Sequence, residues 1–269
     1  MATLTLRSGE VVSYDDHGSG PVVVLIHGSP GTSKAWQRVG ERLADRFRVI
    51  APNLPDSGEA TGQSTNGERD NSHAAGLIEA LITEVGTPAV LAGHSHGGVV
   101  ALNVALRGRI EPGALALFEP VAVSILHTIG DTDAYTAMKA VFDGYISGFE
   151  AGDRDAARTM VDYWFGSGAF ERFPAGMKEY VRDNTGRNIR DVRATFRDQY
   201  PLDSVRRLAM PVVLVVGARS PEITFKIARA LSSLAQHGSL ITLDNADHAL
   251  TTSHAEAVAA LIADLAEQR

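Results

Sequence analysis

The chain has 269 residues, of which 44% are hydrophobic, and this is ample for one large buried core with an insertion. A formal net charge of −7 gives no electrostatic reason to expect nucleic acid or an anionic membrane as a partner. The chain has no cysteine, which excludes disulfides, thiolate catalysis and cysteine-ligated metal. No apolar run reaches the length of about 18 residues that predicts a membrane span.

The chain begins with MATLTLRSGEVVSYDD, in which apolar and polar residues alternate as they do in a strand and a hairpin. A secretion signal would instead place a basic segment before an apolar one. We therefore expect a cytoplasmic protein.

Short runs of β-branched residues or of Leu and Ala recur along the chain, and each ends at Gly, Pro, Asn or Ser. They are PVVVLIHG (21–28), FRVIAPNLP (47–55), PAVLAGHS (88–95), GALALFEP (113–120) and MPVVLVVG (210–217). Such runs are typical of buried parallel strands, and amphipathic helical patterns separate them. The last helical pattern carries Val258, Leu261, Ile262 and Leu265 on one face. The alternation predicts an α/β fold with a doubly wound sheet and a binding crevice at the carboxyl ends of the strands.

Residues 121–201 break this alternation, because their pattern is helical throughout and holds most of the chain's aromatic side chains. We expect a core formed by residues 1–120 and 202–269 and a helical cap formed by residues 121–201. Met138, Phe142, Tyr145 and Phe149 have helical spacing and should bury one face. Most aromatic side chains of the cap should therefore form its own small core, and only some should line a cavity.

The cap also contains a series of arginines interleaved with acidic residues. We interpret this series as a solvated, ion-paired surface rather than an anion site. The residues concerned are Arg182, Arg187, Arg190, Arg193 and Arg197, with Glu179, Asp183, Asp191 and Asp198.

The segment LAGHSHGGVVALNVAL has a G-x-S-x-G array made by Gly93, Ser95 and Gly97, directly after an apolar strand and directly before a helix. The spacing alone is weak evidence, but a sharp strand-to-helix turn needs small residues on both sides of the serine. Such a turn exposes the serine hydroxyl beside the first N–H groups of the helix. The context predicts that Ser95 is a nucleophile.

A nucleophilic serine needs donors for the oxyanion, a base, and a group that orients the base. The turn HGSPG (27–31) follows a strand and can present the N–H of Ser29 toward Ser95. The second donor would be the N–H of His96, the residue after the nucleophile. We expect Ser29 and His96 to form the oxyanion hole.

At this point the sequence resembles the α/β-hydrolase superfamily over nearly its whole length. HGSPG, GHSHGG and the late histidine of DNADHA fall in the order and at the separations usual in that superfamily, and the helical insertion after FEP resembles its lid. The resemblance implies a mostly parallel, eight-stranded sheet with the cap inserted after the sixth strand. It also implies a serine-hydrolase mechanism, but it names no substrate.

Several histidines compete to be the base. His94 and His96 flank Ser95, and neighbours on a sharp turn project away from its hydroxyl. His248 follows the apolar stretch SLITL and precedes the last helix, where the resembling superfamily places its base. We therefore expect His248 to be the base, His94 and His96 to be packing or pocket-wall residues, and His254 to be structural. A metal pair formed by His94 and His96 has no third ligand beside it.

The acid is the open question, because most members of the superfamily place an aspartate three residues past the glycine of the strand VVLVVG, and this chain has Ser220 there. A neutral hydroxyl cannot stabilise the imidazolium that forms during catalysis. Glu119 ends a largely apolar strand, where a charge is unusual without a partner. Some α/β-hydrolases, including haloalkane dehalogenases, carry the acid at that strand end. We expect Glu119 to be the acid; Glu222 is its main rival, and Asp244, Asp247 or a triad without an acid are the alternatives.

These residues predict a serine hydrolase that cleaves a carboxylic ester of a small, largely apolar substrate through an acyl-enzyme. The alternatives are a C–C bond hydrolase, a lactonase or a perhydrolase with the same triad, and a ligand-binding protein without catalysis. The glycine-rich stretch GSGPVVVLIHGSPG lacks the G-K-[ST] ending of a phosphate loop. We expect no cofactor, no metal, and no partner besides the substrate and possible self-association as a homodimer.

Overall fold

The computed structural model describes residues 1–6, 9–57 and 70–268. Arg7 and Ser8 of the predicted N-terminal hairpin, and Arg269 at the end of the last predicted helix, lie outside these ranges. The strands are β1 (Ala2–Thr5), β2 (Val11–His17), β3 (Val22–Ile26), β4 (Arg48–Pro52), β5 (Val90–His94), β6 (Ala114–Phe118), β7 (Val212–Gly217) and β8 (Gly238–Leu243).

The helices, besides a 3₁₀ turn at Ser33–Trp36, are α1 (Gln37–Leu43), α2 (Asn71–Val85), α3 (His96–Arg107), α4 (Ser124–Thr128), α5 (Thr132–Glu150), α6 (Ala157–Phe165), α7 (Ala169–Arg172), α8 (Ala175–Asp183), α9 (Thr185–Arg197), α10 (Leu202–Arg206), α11 (Glu222–Leu234), α12 (Leu250–Ser253) and α13 (Ala255–Glu267). None of the helices in the described ranges combines the length and hydropathy that a membrane span requires.

The eight strands form one sheet in the order β1-β2-β4-β3-β5-β6-β7-β8. The pairs β1–β2 and β2–β4 are antiparallel, and every other neighbouring pair is parallel. The parallel strands therefore end at one edge of the sheet. The turns after β3, β5, β6 and β7 meet at that edge, where the sequence predicts the site.

The central strands are buried on both faces of the sheet, because their successive residues point alternately to two separate cores. Val24 and Ile26 of β3 face one core, and Val23 and Leu25 face the other. Both sides are covered by helices: α2, α3 and α11 pack on the first side and α1 and α13 on the second. Because both faces of these strands are buried, their sequences are continuously apolar instead of alternating.

Residues 121–201, between β6 and β7, contain the helices α4 to α9 joined by turns, and we call this segment the helical insertion. Met138, Phe142 and Tyr145 of α5 are buried, as their spacing predicts, but Phe149 is 41% exposed. Phe142 contacts the rings of Tyr145, Tyr163, Trp164 and Phe196. The insertion thus has an aromatic core of its own, which packs over the edge of the sheet.

Candidate active site

Ser95 occupies a sharp turn between β5 and α3, with φ 54° and ψ −120°. A residue other than glycine in this region of φ is strained, and it persists only where the surroundings fix it. Steric contact explains the two glycines of the array. A Cβ on Gly93 would clash with the backbone of Gly97, and a Cβ on Gly97 would clash with the carbonyl of Ile26 in β3. The glycines therefore allow α3 to start close against the sheet, with Ser95 at its N-terminus.

Ser95, His248 and Glu119 form a continuous chain of hydrogen bonds. The distance from His248 Nε2 to Ser95 Oγ is 3.1 Å, and the distance from His248 Nδ1 to Glu119 Oε2 is 2.6 Å. All three residues are buried; Ser95 is 8%, His248 5% and Glu119 0% exposed. With Nδ1–H directed at the carboxylate, Nε2 is left as the acceptor for the serine proton. The structure thus brings the three predicted residues together in the geometry that a nucleophile, a base and an orienting acid require.

Glu119 is also held by groups that follow β7. Its Oε1 accepts hydrogen bonds from the backbone N–H of Gly217 at 2.7 Å and from the hydroxyl of Ser220 at 2.5 Å. Burial alone would raise the pKa of Glu119, but the hydrogen bond and charge of His248, together with the bonds from Ser220 and Gly217, lower that pKa below its usual range. Glu119 is therefore an anion at neutral pH. Ser220 lies at the position where most members of the superfamily have an aspartate, and it donates a hydrogen bond to the carboxylate of Glu119.

The backbone of Glu119 is itself unusual, with φ 46° directly after β6. This conformation costs a residue with a side chain about 1–2 kcal/mol. The backbone N–H of Glu119 still donates to the carbonyl of Val215 in β7 at 2.9 Å. The turn thus keeps the sheet pairing while it directs the carboxylate toward His248.

The rival carboxylates lie elsewhere. Glu222 is at the start of α11 and pairs with Arg229 at 3.0 Å, while Asp247 accepts from the N–H of Ala249 at 3.0 Å. Asp244 is exposed directly after β8. None of the three has a hydrogen bond to His248 in the described part of the chain.

Ser29 and His96 lie on the two sides of Ser95 and line the same cavity. His96 is the first residue of α3, whose first N–H groups point toward the nucleophile. Gly28 brings the β3 turn against β5: a Cβ there would lie 3.1 Å from that of Ser95. Within the described ranges neither the N–H of Ser29 nor that of His96 has a backbone hydrogen-bond partner. Two such N–H groups beside a serine are suited to receive an oxyanion.

A cavity of about 620 Å³ lies above Ser95, between the sheet edge and the helical insertion. Its lining is mostly aliphatic and aromatic and includes Met138, Phe142, Met160, Trp164, Phe165 and Phe196. Few of its lining side chains are charged; they include Arg172, Asp191 and Asp247. The cavity is therefore suited to a small and largely apolar ligand that reaches the serine.

Trp164, on α6 of the insertion, covers one face of His248. The two rings are nearly parallel, at 14°, and their centroids are 4.2 Å apart. His94 approaches the His248 ring from β5, at 5.0 Å between centroids. The imidazole of His248 is thus fixed by stacking as well as by its hydrogen bonds. The sequence assigns most aromatic side chains of the insertion to its own core, and it gives no signal for this contact of Trp164 with His248.

The remaining histidines have structural surroundings. The ring of His94 is within 2.8 Å of the carbonyl of His248, and burial together with the nearby His248 lowers the pKa of His94 to about 3. His94 therefore stays neutral and is a poor proton acceptor. His254 precedes α13 and contacts the hydroxyl of Ser253 at 2.9 Å. Among the described residues, no group of three His, Cys, Asp or Glu has the geometry to hold a metal ion.

The interpretation of the acidic and basic residues of the insertion as one solvated surface is wrong for two acids. Arg182 and Arg193 do form exposed ion pairs, with Glu179 and Glu150 respectively. Asp198, however, is enclosed and accepts hydrogen bonds from Asn71, Asn103 and Tyr200. Asp191 lines the cavity. Both belong to α9 or its end, on the side that faces the core, and burial against the sheet edge outweighs the alternation of charge.

Comparisons with known proteins agree with this architecture. A sequence model of the alpha/beta hydrolase family matches residues 23–261, and the chain belongs to that family. A pimeloyl-[acyl-carrier protein] methyl ester esterase from Vibrio cholerae is 26% identical over 257 residues, 89% of this chain and 92% of the relative. An (E)-2-((N-methylformamido)methylene)succinate hydrolase from Acinetobacter baylyi is 23% identical over 264 residues, 95% of this chain and 94% of the relative.

Among solved structures, a thermophilic esterase from Thermogutta terrifontis superposes with a TM-score of 0.72 at 22% identity, covering 98% of this chain and 96% of the other. At this identity the likeness concerns the fold, and it confirms the predicted α/β-hydrolase fold with a mostly parallel eight-stranded sheet. Family membership and hydrolase relatives together place the chain among the hydrolases.

Proposed function

We propose that the protein is a serine hydrolase that cleaves carboxylic esters of small, largely apolar substrates through an acyl-enzyme. The observation that carries the proposal is the hydrogen-bonded series Ser95–His248–Glu119 at the floor of a mostly apolar cavity. The methyl ester esterase among the relatives supports the cleavage of a carboxylic ester.

In the proposed reaction, Ser95 Oγ attacks the ester carbonyl and its proton passes to His248 Nε2. Glu119 stabilises the imidazolium, and the N–H groups of Ser29 and His96 bind the oxyanion of the tetrahedral intermediate. His248 then gives its proton to the leaving alcohol, which leaves Ser95 acylated. A water molecule, deprotonated by His248, then attacks the acyl-enzyme; the acid is released as the bond to Ser95 Oγ breaks and His248 returns the proton to that oxygen. The helical insertion acts as a lid that shapes the cavity for the substrate.

The same triad also serves C–C bond hydrolysis, lactone hydrolysis and perhydrolysis, and the fold alone also suits a ligand-binding protein without catalysis. Two measurements separate these functions. Covalent labelling by a fluorophosphonate, with Ser95→Ala as the control, separates an enzyme from a binding protein. Turnover of nitrophenyl esters, compared with lactones and a vinylogous diketone, separates the reactions. Absence of labelling, or a diketone turned over faster than every ester, would contradict the proposal.

The cavity predicts how esterase activity depends on acyl length. Each buried methylene contributes about 0.8 kcal/mol, so kcat/KM should rise about fourfold per methylene from acetate until the acyl chain fills the cavity. Aryl esters should also be good substrates, and choline or phosphorylated esters should be poor ones. The measurement is kcat/KM for nitrophenyl esters from acetate to octanoate. A flat profile would show that the acyl group does not enter this cavity.

The stacked ring of Trp164 predicts a second effect. An aromatic face on a desolvated cation contributes about 1–2 kcal/mol, and the imidazolium of His248 forms in the transition state. We expect Trp164→Leu to lower kcat for nitrophenyl acetate by about 5- to 30-fold, and Trp164→Phe to retain most of it. Phe165→Leu is the matched control, since Phe165 is on the same helix and its centroid is 6.2 Å from His248 at an inclined angle. If kcat fell equally in Trp164→Leu and Phe165→Leu, the effect would come from the changed cavity wall and not from stacking on His248.

A further inference from the structure

The turn that carries Ser29 is attached to the helical insertion through the Ser29 side chain. The hydroxyl of Ser29 donates to Asp191 Oδ2 at 2.5 Å and accepts from the amide nitrogen of Asn188 at 3.0 Å. Asn188 is oriented in turn, because its Oδ1 accepts from the hydroxyl of Tyr145 at 3.0 Å. A helix of the insertion thus fixes the hydroxyl of a residue whose N–H is a proposed oxyanion donor.

The same turn is held at the next residue as well. The carbonyl of Pro30 accepts a hydrogen bond from the Tyr180 hydroxyl at 2.5 Å and another from the guanidinium of Arg187. Arg187 also donates to the carbonyl of Asp56 at 3.3 Å. Polar groups of α8 and α9 therefore hold both Ser29 and Pro30 of this turn.

Asp191 also faces the second proposed oxyanion donor. Its Oδ2 is 3.9 Å from Nδ1 of His96, and the His96 side chain is only 7% exposed. On the other side of the ring, Nε2 of His96 is 2.7 Å from Oδ1 of Asn71. The amide nitrogen of Asn71 donates to Asp198 at 2.8 Å, so Oδ1 of Asn71 must accept from His96. The ring of His96 is therefore oriented by Asn71, and its Nδ1 faces the Asp191 carboxylate at 3.9 Å, beyond hydrogen-bond distance.

A single carboxylate thus lies against both residues that would supply the oxyanion hole. Donors in such a site act only when they are about 2.7–3.1 Å from the oxyanion, and a displacement of 1 Å costs roughly 10² in rate. The turn HGSPG follows a strand and has no regular structure of its own. At Ser29 the side-chain contacts that fix its position are those of Asp191 and Asn188.

We propose that Asp191 is a positioning residue that aligns Ser29 for oxyanion binding. The insertion would then contribute to the chemical step as well as to the shape of the cavity. This inference rests on the proposed function, since an oxyanion forms only if Ser95 attacks a carbonyl.

The test compares Asp191→Ala and Asp191→Asn with wild type. We expect Asp191→Ala to lower kcat for nitrophenyl butyrate about 10- to 100-fold with KM within about threefold, because alignment acts on the transition state. Asp191→Asn retains an oxygen that can accept from Ser29 and should recover most of the loss. Asp183→Asn is the matched control: Asp183 is exposed at the end of α8, and its change should leave kcat within twofold.

A transition-state analogue separates alignment from a purely structural role. A trifluoromethyl ketone adds to the serine and places an oxyanion in the hole, so its inhibition constant should rise in Asp191→Ala by the same factor as kcat falls. Rates are expressed per active site titrated with a fluorophosphonate. An inhibition constant and a kcat within twofold of wild type would overturn the inference, even if the melting temperature of the variant fell.

Ser29→Ala provides an independent variant, because it removes the hydroxyl that Asp191 binds and leaves both the backbone N–H and α9 in place. Its kcat should fall about as far as that of Asp191→Ala, and the double variant should be little worse than either single one. The inference would be overturned if the fold-loss in kcat of the double variant equalled the product of the two single losses, or if Ser29→Ala were fully active. Failure of the proposed function looks different, because the wild-type protein would then show no fluorophosphonate labelling, or its ester turnover would survive Ser95→Ala.

Discussion

Replacing Ser95 by alanine should lower kcat for an ester by about 10⁴-fold or more while the fold survives. The hydroxyl is the only group lost, and it is the one that donates a hydrogen bond to His248 Nε2, at 3.1 Å. The oxyanion donors and the cavity remain, so substrate should still bind. The measurements are kcat with nitrophenyl butyrate, labelling by a fluorophosphonate and the melting temperature.

The control for Ser95→Ala is Ser253→Ala, which removes an exposed hydroxyl on α12 that bonds only locally to Ala249 and His254. This variant should be labelled and should turn over ester at the wild-type rate. If a clean preparation of Ser95→Ala kept more than a tenth of the wild-type kcat, Ser95 would not be the nucleophile.

The turn at Ser95 could be predicted from sequence because its requirements are local. Gly93 is needed because of a contact with Gly97 within the turn, and an apolar strand and an amphipathic helix on either side are visible as patterns; the contact of Gly97 with Ile26 of β3 is the part that the local sequence does not show. The two-sided burial of the central strands follows from the same kind of local signal. The G-x-S-x-G context also predicts a strained backbone at the serine, and the structure has φ 54° there.

The position of Glu119 could also be predicted, but its surroundings could not. A charge at the end of an apolar strand indicates a partner, and the partner proves to be His248 at 2.6 Å. The role of Ser220 depends on the register of β6 and β7, which brings the turn after β7 over the end of β6. A hydroxyl at the usual position of the acid is the signal that would have suggested it.

Asp191 and Trp164 could not be identified from the sequence, because their roles arise from how the insertion docks on the sheet. Helical periodicity assigns residues to a face of their own helix, but it does not say which face meets the core. Asp183 and Asp191 look equivalent in the alternating charge pattern, yet the first is exposed and the second lines the cavity. Only the packing of α6 and α9 against the turns of the core distinguishes such residues.

Replacing Glu119 by glutamine should lower kcat by about 10²–10⁴-fold. The backbone N–H of Gly217 donates to Oε1 and can pair only with the amide oxygen of the new side chain. The amide NH₂ then faces Nδ1 of His248 and favours the tautomer with the proton on Nε2, which cannot accept a proton from Ser95. The variant also lacks the charge that stabilises the imidazolium, so kcat should fall with little change in KM.

Glu222→Gln is the control for Glu119→Gln, since Glu222 is exposed, pairs with Arg229 and should change kcat less than twofold. A stronger test restores a carboxylate after β7 instead of β6, by adding Ser220→Asp to the Glu119→Gln variant. The Ser220 hydroxyl already lies 2.5 Å from Glu119 Oε1, so an aspartate there is close enough to approach His248 and should recover roughly tenfold of the loss. A wild-type kcat for Glu119→Gln alone would show that the acid lies elsewhere, and Glu222 would be the first residue to test in its place.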